Sequence, residues 1–498
     1  MTGHLLPSER HLPPGTAAPD LLGAGSLTNS WLDRWRADGR RPVLFDDKYG
    51  WLTAADVEGR SRLIARRLAA AGISFGARVL MSAGPSIDLV LAHIAALRLG
   101  AVVVPTNTAY REREFAHVLR DSSPAVVLTD TADRARWVQA AGSDATVVGA
   151  EVDVPEAGSC DLDAAGIDDP ALIAYTSGTT GTPKGAVLTH GNLLASAEAL
   201  RLAWRWSPDD RLVLALPLFH LHGLGVGLHG TLTAGASVVI RRRFDVGDVV
   251  EQVRDRRCTL FFGVPTMYRR LLDAGAGNDL SPLRLCVSGS APLSEADHAA
   301  FATASGQRII ERYGMTETVI TVSNPYEGER RPGTVGFPLP GVELRLHDET
   351  NEVWVRGPSV TPGYWQRPDA TREVLSASGW MSSGDIGDID ECGYLKIVGR
   401  SKELIISGGY NVYPREIEDV LRDYPGVMDV AVVGRPHPEW GEQVTAFVVA
   451  NGVSERQLRE FAGSQLAAYK QPKLLYFVDD LPRNAMGKVL KQELTDPA

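Results

Sequence analysis

Tyr175-Thr176-Ser177-Gly178-Thr179-Thr180-Gly181-Thr182-Pro183-Lys184-Gly185 lies between two apolar runs, Leu172-Ile173-Ala174-Tyr175 and Ala186-Val187-Leu188. The apolar runs read as buried strands, and the stretch between them reads as their connection. Its glycines let the backbone turn so that successive N–H groups face one concavity. The hydroxyls of Thr176, Ser177, Thr179 and Thr180 add donors, and Lys184 adds a mobile positive charge. Such a loop is built to hold a polyphosphate. It is not a Walker A loop, which needs Gly-Lys-Ser/Thr opening a helix, because Pro183 precedes Lys184 and Gly185 follows it.

Outward from this loop, short apolar strands alternate with amphipathic helices, which predicts α/β layers. Ala54–Ala71 and Ser86–Leu99 read as helices. Val79–Met81, Val102–Val104 and Val126–Leu128 read as buried strands on one side of the loop, and Val238–Ile240, Leu260–Phe262 and Ile309–Ile310 on the other, with Val246–Arg257 as a helix. Past Gly333 the pattern changes to short β segments such as Glu352–Val355, and a further unit begins after Gly399-Arg400-Ser401-Lys402. That unit reads as a helix Pro414–Asp423 with proline at its start, strands Val430–Val433 and Thr445–Val449, a helix Glu455–Leu466 and a basic tail. The expected division is a loosely ordered leader over 1–25, a large unit over 26–400, a linker at 401–402 and a small unit over 403–498.

With 498 residues the chain is too long for one ordinary core. Its 44% hydrophobic and 22% charged content suits a soluble globular protein, and a net charge of -10 without a basic run argues against nucleic acid or an anionic membrane as partner. No apolar run reaches the length of a membrane span. The four scattered cysteines form no metal or disulfide framework, which fits a cytoplasmic protein.

Further motifs follow in order: Ser288-Gly289-Ser290-Ala291-Pro292, Glu311-Arg312-Tyr313-Gly314-Met315-Thr316-Glu317-Thr318, Ser383-Gly384-Asp385, Ser407-Gly408-Gly409-Tyr410-Asn411 and Gly487-Lys488. Together with the loop they make the chain, from about residue 26 onward, resemble the adenylate-forming superfamily of acyl-CoA synthetases, adenylation domains and luciferases. The resemblance implies a large α/β domain with layered sheets and a β subdomain, and a small mobile α+β C-terminal domain. It implies ATP, Mg²⁺ and CoA. A carboxylate attacks the α-phosphorus of ATP, and a thiol then displaces AMP from the acyl-adenylate.

By this resemblance, Thr176, Ser177, Gly178, Thr179, Thr180, Gly181 and Lys184 cradle the outer phosphates. Gly289, Ser290 and Ala291 line the adenine side, Glu311, Arg312, Tyr313 and Gly314 belong to the ATP site, and Tyr313 lies against the base. Thr316 contacts the α-phosphate, Glu317 holds Mg²⁺, and Asp385 and Arg400 reach the ribose. Lys488 is the mobile lysine of adenylation, Lys402 the hinge, and Ser407, Gly408, Gly409 and Tyr410 the loop that receives CoA. A lysine acetyltransferase acting on Lys488 would remove its charge and stop adenylation. Lys491, Arg415 and Lys470 read as solvated charges.

The acid is read from Arg312. A buried arginine without an anion is costly, so an arginine facing the acyl pocket calls for a second carboxylate. Ser288, His220 and Met315 belong to the same pocket, with His220 as a gate. The string around Arg312 resembles that of malonyl-CoA-forming members, so malonate is the expected acid, with methylmalonate beside it. Arg312 paired structurally with Glu311 or another acid is the competing reading. It would leave a short-chain, medium-chain or aryl acid as substrate. A stand-alone adenylation enzyme loading a carrier protein, and a non-catalytic nucleotide-binding protein that keeps the fold, are more distant alternatives. The non-catalytic reading conflicts with the presence of Lys488, Glu317 and Asp385 together.

Overall fold

The computed structural model describes residues 8–156, 158–176, 183–407, 410–484 and 487–496. Ser177, Gly178, Thr179, Thr180 and Gly181 of the phosphate loop, and Gly408 and Gly409 of the CoA loop, lie outside the described residues.

Two large sheets sandwich a layer of helices. A nine-stranded sheet runs Phe337–Pro338, Val322–Ser323, Ile309–Tyr313, Leu285–Ser288, Leu260–Gly263, Arg211–Leu214, Ser237–Ile240, Pro42–Asp46, Gly50–Thr53. Its central strands are parallel. A seven-stranded sheet runs Gly363–Tyr364, Lys184–Thr189, Pro170–Thr176, Val102–Pro105, Arg78–Ser82, Val126–Thr129, Thr146–Val148. The helices Ile87–Arg98 and His190–Ala203 lie in the core shared by both sheets, which explains why they are apolar nearly all round. The helix starts are set by caps: Ser86 accepts from Leu89 N, and Thr189 and Asn192 form a reciprocal box. Arg98, at the buried end of the first helix, is neutralised by a bidentate pair with Asp163 at 3.0 and 2.9 Å.

A four-stranded antiparallel sheet, Glu343–Leu346, Glu352–Arg356, Met381–Ile389 and Leu395–Arg400, follows. The C-terminal unit is a five-stranded sheet. Tyr410–Val412, Ile405–Ser407, Gly441–Ala450 and Val427–His437 lie side by side, and Leu474–Phe477 pairs with Gly441–Ala450. The helices Pro414–Arg422 and Glu455–Gln465 share its apolar core.

The leader is anchored at two points, where His11 and Leu21 are buried and His11 Nε2 lies 3.1 Å from the Phe337 carbonyl, while residues 13–18 between them are exposed. The Arg10 guanidinium covers the Phe337 ring at 4.4 Å. Lys491 is likewise not solvated: its ammonium contacts Glu403 at 3.1 Å and Glu418 at 2.7 Å. Lys470 binds Glu416 at 2.6 and 2.8 Å.

Candidate active site

The parallel strands Leu285–Ser288 and Ile309–Tyr313 end side by side, where ligands collect in open α/β sheets. Ser288 closes the first strand with a buried hydroxyl that has no partner among the described residues. Gly289 follows, and a Cβ there would stand 2.3 Å from the Arg312 guanidinium carbon. Only glycine leaves that space.

Arg312 is 8% exposed, and its Nε and Nη2 have no hydrogen-bond partner among the described residues. Burial pushes its guanidinium down from the ordinary arginine value to about 9. Glu311 does not neutralise it. Neighbours on a strand face opposite sides, and the Glu311 carboxylate instead accepts from Gly333 N at 3.2 Å and Leu293 N at 3.4 Å. Burial raises that carboxyl to about 7 against those backbone bonds. The structural pairing of Arg312 with Glu311 is therefore absent, and the Glu311 side chain does not join the other predicted residues at Arg312.

Two histidines stand beside this guanidinium. Val226 N donates to Leu221 O at 2.8 Å, a π-type turn within His222–His229, a geometry that often marks functional sites. The turn buries His222, whose Nδ1 lies 3.2 Å from Ser290 Oγ while its Nε2 has no partner among the described residues. His222 N donates to His220 Nδ1 at 3.1 Å. Burial, then Arg312, lowers His220 to about 4 and holds His222 well below the ordinary histidine value. Both imidazoles are neutral at neutral pH. His222 was missed in the sequence; its signal was the alternation His220-Leu221-His222 beside the predicted gate.

A second group forms around Tyr313. Its hydroxyl donates to Asp385 Oδ2 at 2.6 Å, and Asp385 Oδ1 lies 2.9 Å from Arg400 Nε. Asp385 and Arg400 are register partners on adjacent strands, so the sheet itself sets this geometry. Burial, then Asp385, keeps the Tyr313 phenol protonated far above its ordinary value. Lys488 reaches the same edge. Burial first, then Arg400, lowers its ammonium below the ordinary lysine value, and Glu403 and Asp385 oppose that.

A third group joins the phosphate loop to Glu317. Thr176 and Lys184 are register partners at the loop's two stems. The Lys184 ammonium lies 5.5 Å from the centre of the Tyr364 ring, and the Tyr364 hydroxyl donates to Glu317 Oε1 at 2.7 Å. Glu317 is buried, its carboxyl raised by burial against that bond. The loop stems are also held to one helix: Tyr175 donates to Asp121 at 2.6 Å, and His117 Nε2 lies 3.1 Å from the Pro183 carbonyl. Tyr364, Asp121 and His117 carry no motif and went unread.

Gly314, Met315 and Thr316 form the partly exposed turn between Tyr313 and Glu317, in which Met315 N donates to Thr318 Oγ1 at 3.3 Å. Ala291 follows Ser290 in the loop above Gly289. Lys402 lies in the 3₁₀ turn Ser401–Glu403 between the large unit and the C-terminal sheet. Ser407 is buried, and exposed Tyr410 stacks on Tyr469 at 4.5 Å, away from the three groups. Among the described residues no three His, Cys, Asp or Glu side chains gather as a metal cage.

The AMP-binding enzyme family matches residues 32–365, and the AMP-binding enzyme C-terminal domain matches residues 416–488. A feruloyl-CoA synthase from Amycolatopsis sp is 40% identical over 463 residues, covering 89% of this chain and 93% of the relative. A malonate–CoA ligase from Arabidopsis thaliana is 36% identical over 471 residues, covering 84% and 78%. Among solved structures, ATP-bound MatB from Rhodopseudomonas palustris superimposes with a TM-score of 0.87 at 38% identity, covering 93% and 97%. The o-succinylbenzoate CoA synthetase of Bacillus subtilis, in complex with its acyl-adenylate, gives a TM-score of 0.87 at 30% identity, covering 94% and 98%. By these matches the chain belongs to the AMP-binding enzyme family, as an AMP-forming acid–CoA ligase that works through an acyl-adenylate.

Proposed function

We propose that the acid is a short dicarboxylate, malonate first and methylmalonate beside it. One observation carries this reading: the buried Arg312 guanidinium has two N–H-bearing nitrogens with no hydrogen-bond partner, and no paired carboxylate, among the described residues. A fork of that shape matches a carboxylate in bidentate fashion. Ser288 Oγ and His222 Nε2, also without a partner among the described residues, add a hydroxyl donor and an imidazole nitrogen that donates in the Nε2–H tautomer.

The remaining roles follow from the three groups. Asp385, oriented by Tyr313 and Arg400, accepts from the ribose hydroxyls, while Gly289, Ser290 and Ala291 border the adenine beside Tyr313. The loop from Thr176 to Lys184 surrounds the outer phosphates. Glu317, fixed by Tyr364, fits a Mg²⁺ that takes one protein carboxylate and draws its other ligands from phosphate and water, and this ion would neutralise the departing pyrophosphate. Thr316 contacts the α-phosphate. His220 forms the wall beside the attacking carboxylate; lowered to about 4 it brings no positive charge there, and an acid that is already ionised needs no base. Lys488 brings a positive charge to the oxygen–phosphorus bond as charge develops there. Rotation about Lys402 then withdraws Lys488 and presents Ser407–Tyr410 to CoA.

The test is AMP-forming thioester synthesis with malonate, methylmalonate, butyrate and ferulate. The reading expects kcat/KM for malonate or methylmalonate to exceed that for butyrate by about 10⁴-fold, the discrimination available when an omitted polar group leaves a buried partner unpaired. Preference for butyrate or ferulate would return Arg312 to a structural role and keep the ligase mechanism.

A further inference from the structure

The segment that carries Lys488 is a hairpin fastened on both limbs. Arg483 and Val489 face each other across it, Asn484 N donates to the Lys488 carbonyl at 2.9 Å, and Lys488 N donates to Asn484 Oδ1 at 3.0 Å. The incoming limb is held by Arg483 paired with Asp429, on the strand Val427–His437. The outgoing limb is held by Lys491, three residues past Lys488. Its ammonium lies 3.1 Å from Glu403 Oε2 and 2.7 Å from Glu418 Oε1.

The two acids are placed differently. Glu403 belongs to the turn Ser401–Glu403 that leaves the large unit, directly after Lys402. Glu418 lies on the helix Pro414–Arg422 and is fixed from the other side, where Val432 N donates to its Oε1 at 2.8 Å. The Lys491 side chain is 22% exposed and that of Glu418 13%. One ammonium shared by two partly buried carboxylates is a network, unlike the exposed single pairs that contribute little. Arg400, Glu403 and Asp385 all act on Lys488 from the same edge, so a shift of the outgoing limb would take Lys488 out of their reach.

We infer that Lys491 is a positioning residue for acid activation: bound between Glu403 and Glu418, it fixes the outgoing limb of the hairpin so that Lys488 meets the Asp385–Arg400 edge. The inference rests on reading Lys488 as the adenylation lysine, so the experiment separates the two. Lys488→Ala, Lys491→Met, Lys491→Arg and Glu403→Gln are compared in acid-dependent ATP–pyrophosphate exchange and in CoA acylation from preformed butyryl-adenylate. Exchange is run with both malonate and butyrate, so that the identity of the acid does not decide the outcome.

Lys491→Met is expected to lower exchange kcat by about 10- to 100-fold, the scale of a misplaced catalytic group. CoA acylation from butyryl-adenylate and the KM for ATP should stay within about twofold. Lys491→Arg should recover most of the exchange. Glu403→Gln, which leaves the Glu418 contact in place and covers the case in which Lys491→Met does not fold, should show a smaller loss of the same kind. The alkaline limb of exchange should move to higher pH in Lys491→Met, because a cation beside Lys488 is gone and Glu403 is unpaired. Equal loss of both half-reactions, no rescue by arginine, or no loss at all would overturn the inference. Exchange surviving in Lys488→Ala would instead overturn the reading on which it rests.

Discussion

Replacing Arg312 by methionine should make the unliganded protein more stable while destroying its use of a dicarboxylate. The first half follows from the cost of the buried charge. Holding the guanidinium protonated against a fall from the ordinary arginine value to about 9, at about 1.4 kcal/mol per pH unit, sets an upper bound of about 5 kcal/mol. Swapping a buried charge for an apolar side chain of similar volume recovers about 1–4 kcal/mol of such a cost. The sign is that of a depressed base. Below about pH 9 both folded and unfolded chains carry the proton and the fold bears the full cost, which fades only as pH climbs from 9 toward the ordinary arginine value. The gain in Arg312→Met is thus fully present at neutral pH. The second half follows from the same charge once it is spent on substrate. A malonate carboxylate brought into the variant would be buried without its partner, a loss of about 3–5 kcal/mol, or roughly 10²- to 10⁴-fold in kcat/KM. Butyrate, which never used the guanidinium, should be turned over at least as well. The assay pairs urea denaturation of the unliganded proteins with ATP–pyrophosphate exchange on the two acids. A variant that is less stable than the parent and loses both acids equally would refute the reasoning, since a structural arginine would behave that way.

Three further outcomes can be checked separately. Gly289→Ala places a Cβ 2.3 Å from the Arg312 guanidinium carbon, so it should raise the KM for malonate by more than that for ATP, whose adenine the same loop borders. Glu311→Gln should flatten the pH dependence of stability: with its carboxyl raised from 4.5 to about 7, the folded chain keeps a proton that the unfolded chain releases, and stability falls by up to about 3 kcal/mol as pH rises across that window. Denaturation midpoints at pH 5 and pH 8 should converge in the variant. Tyr364→Phe keeps the ring under Lys184 but removes the 2.7 Å bond to Glu317, so it should raise the Mg²⁺ concentration needed for exchange and weaken Mn²⁺ binding in the ATP complex measured by electron spin resonance. CoA acylation from a preformed adenylate should be unaffected.

The elements legible in the sequence were those whose signals are local. The valine-rich runs became strands within a residue or two of expectation, as Val79–Met81 did within Arg78–Ser82, because buried parallel strands are apolar on both faces. The helix after Ser86 began where its cap placed it. What escaped was made by long-range meetings. Tyr364 reaches Glu317 and Lys184 through a two-residue strand, too short to show any period. The leader is ordered by contacts with Phe337 and Gly341, far along the chain. Lys491 looked solvated because its partners, Glu403 and Glu418, approach only when the C-terminal sheet has formed. The orientation of Glu311 was within reach, since alternation along a strand already separates it from Arg312, and grouping the two by adjacency overlooked that.

The central claim is that Arg312 receives the second carboxylate of the acid, and the most direct measurement is a crystal structure with a stable malonyl-adenylate analogue. The account predicts the distal carboxylate paired in two-point fashion with Arg312 Nε and Nη2 at about 2.7–2.9 Å, with Ser288 Oγ and His222 Nε2 alongside. A distal carboxylate directed to solvent, with Arg312 bonded instead to the nucleotide or to a protein carbonyl, would contradict it.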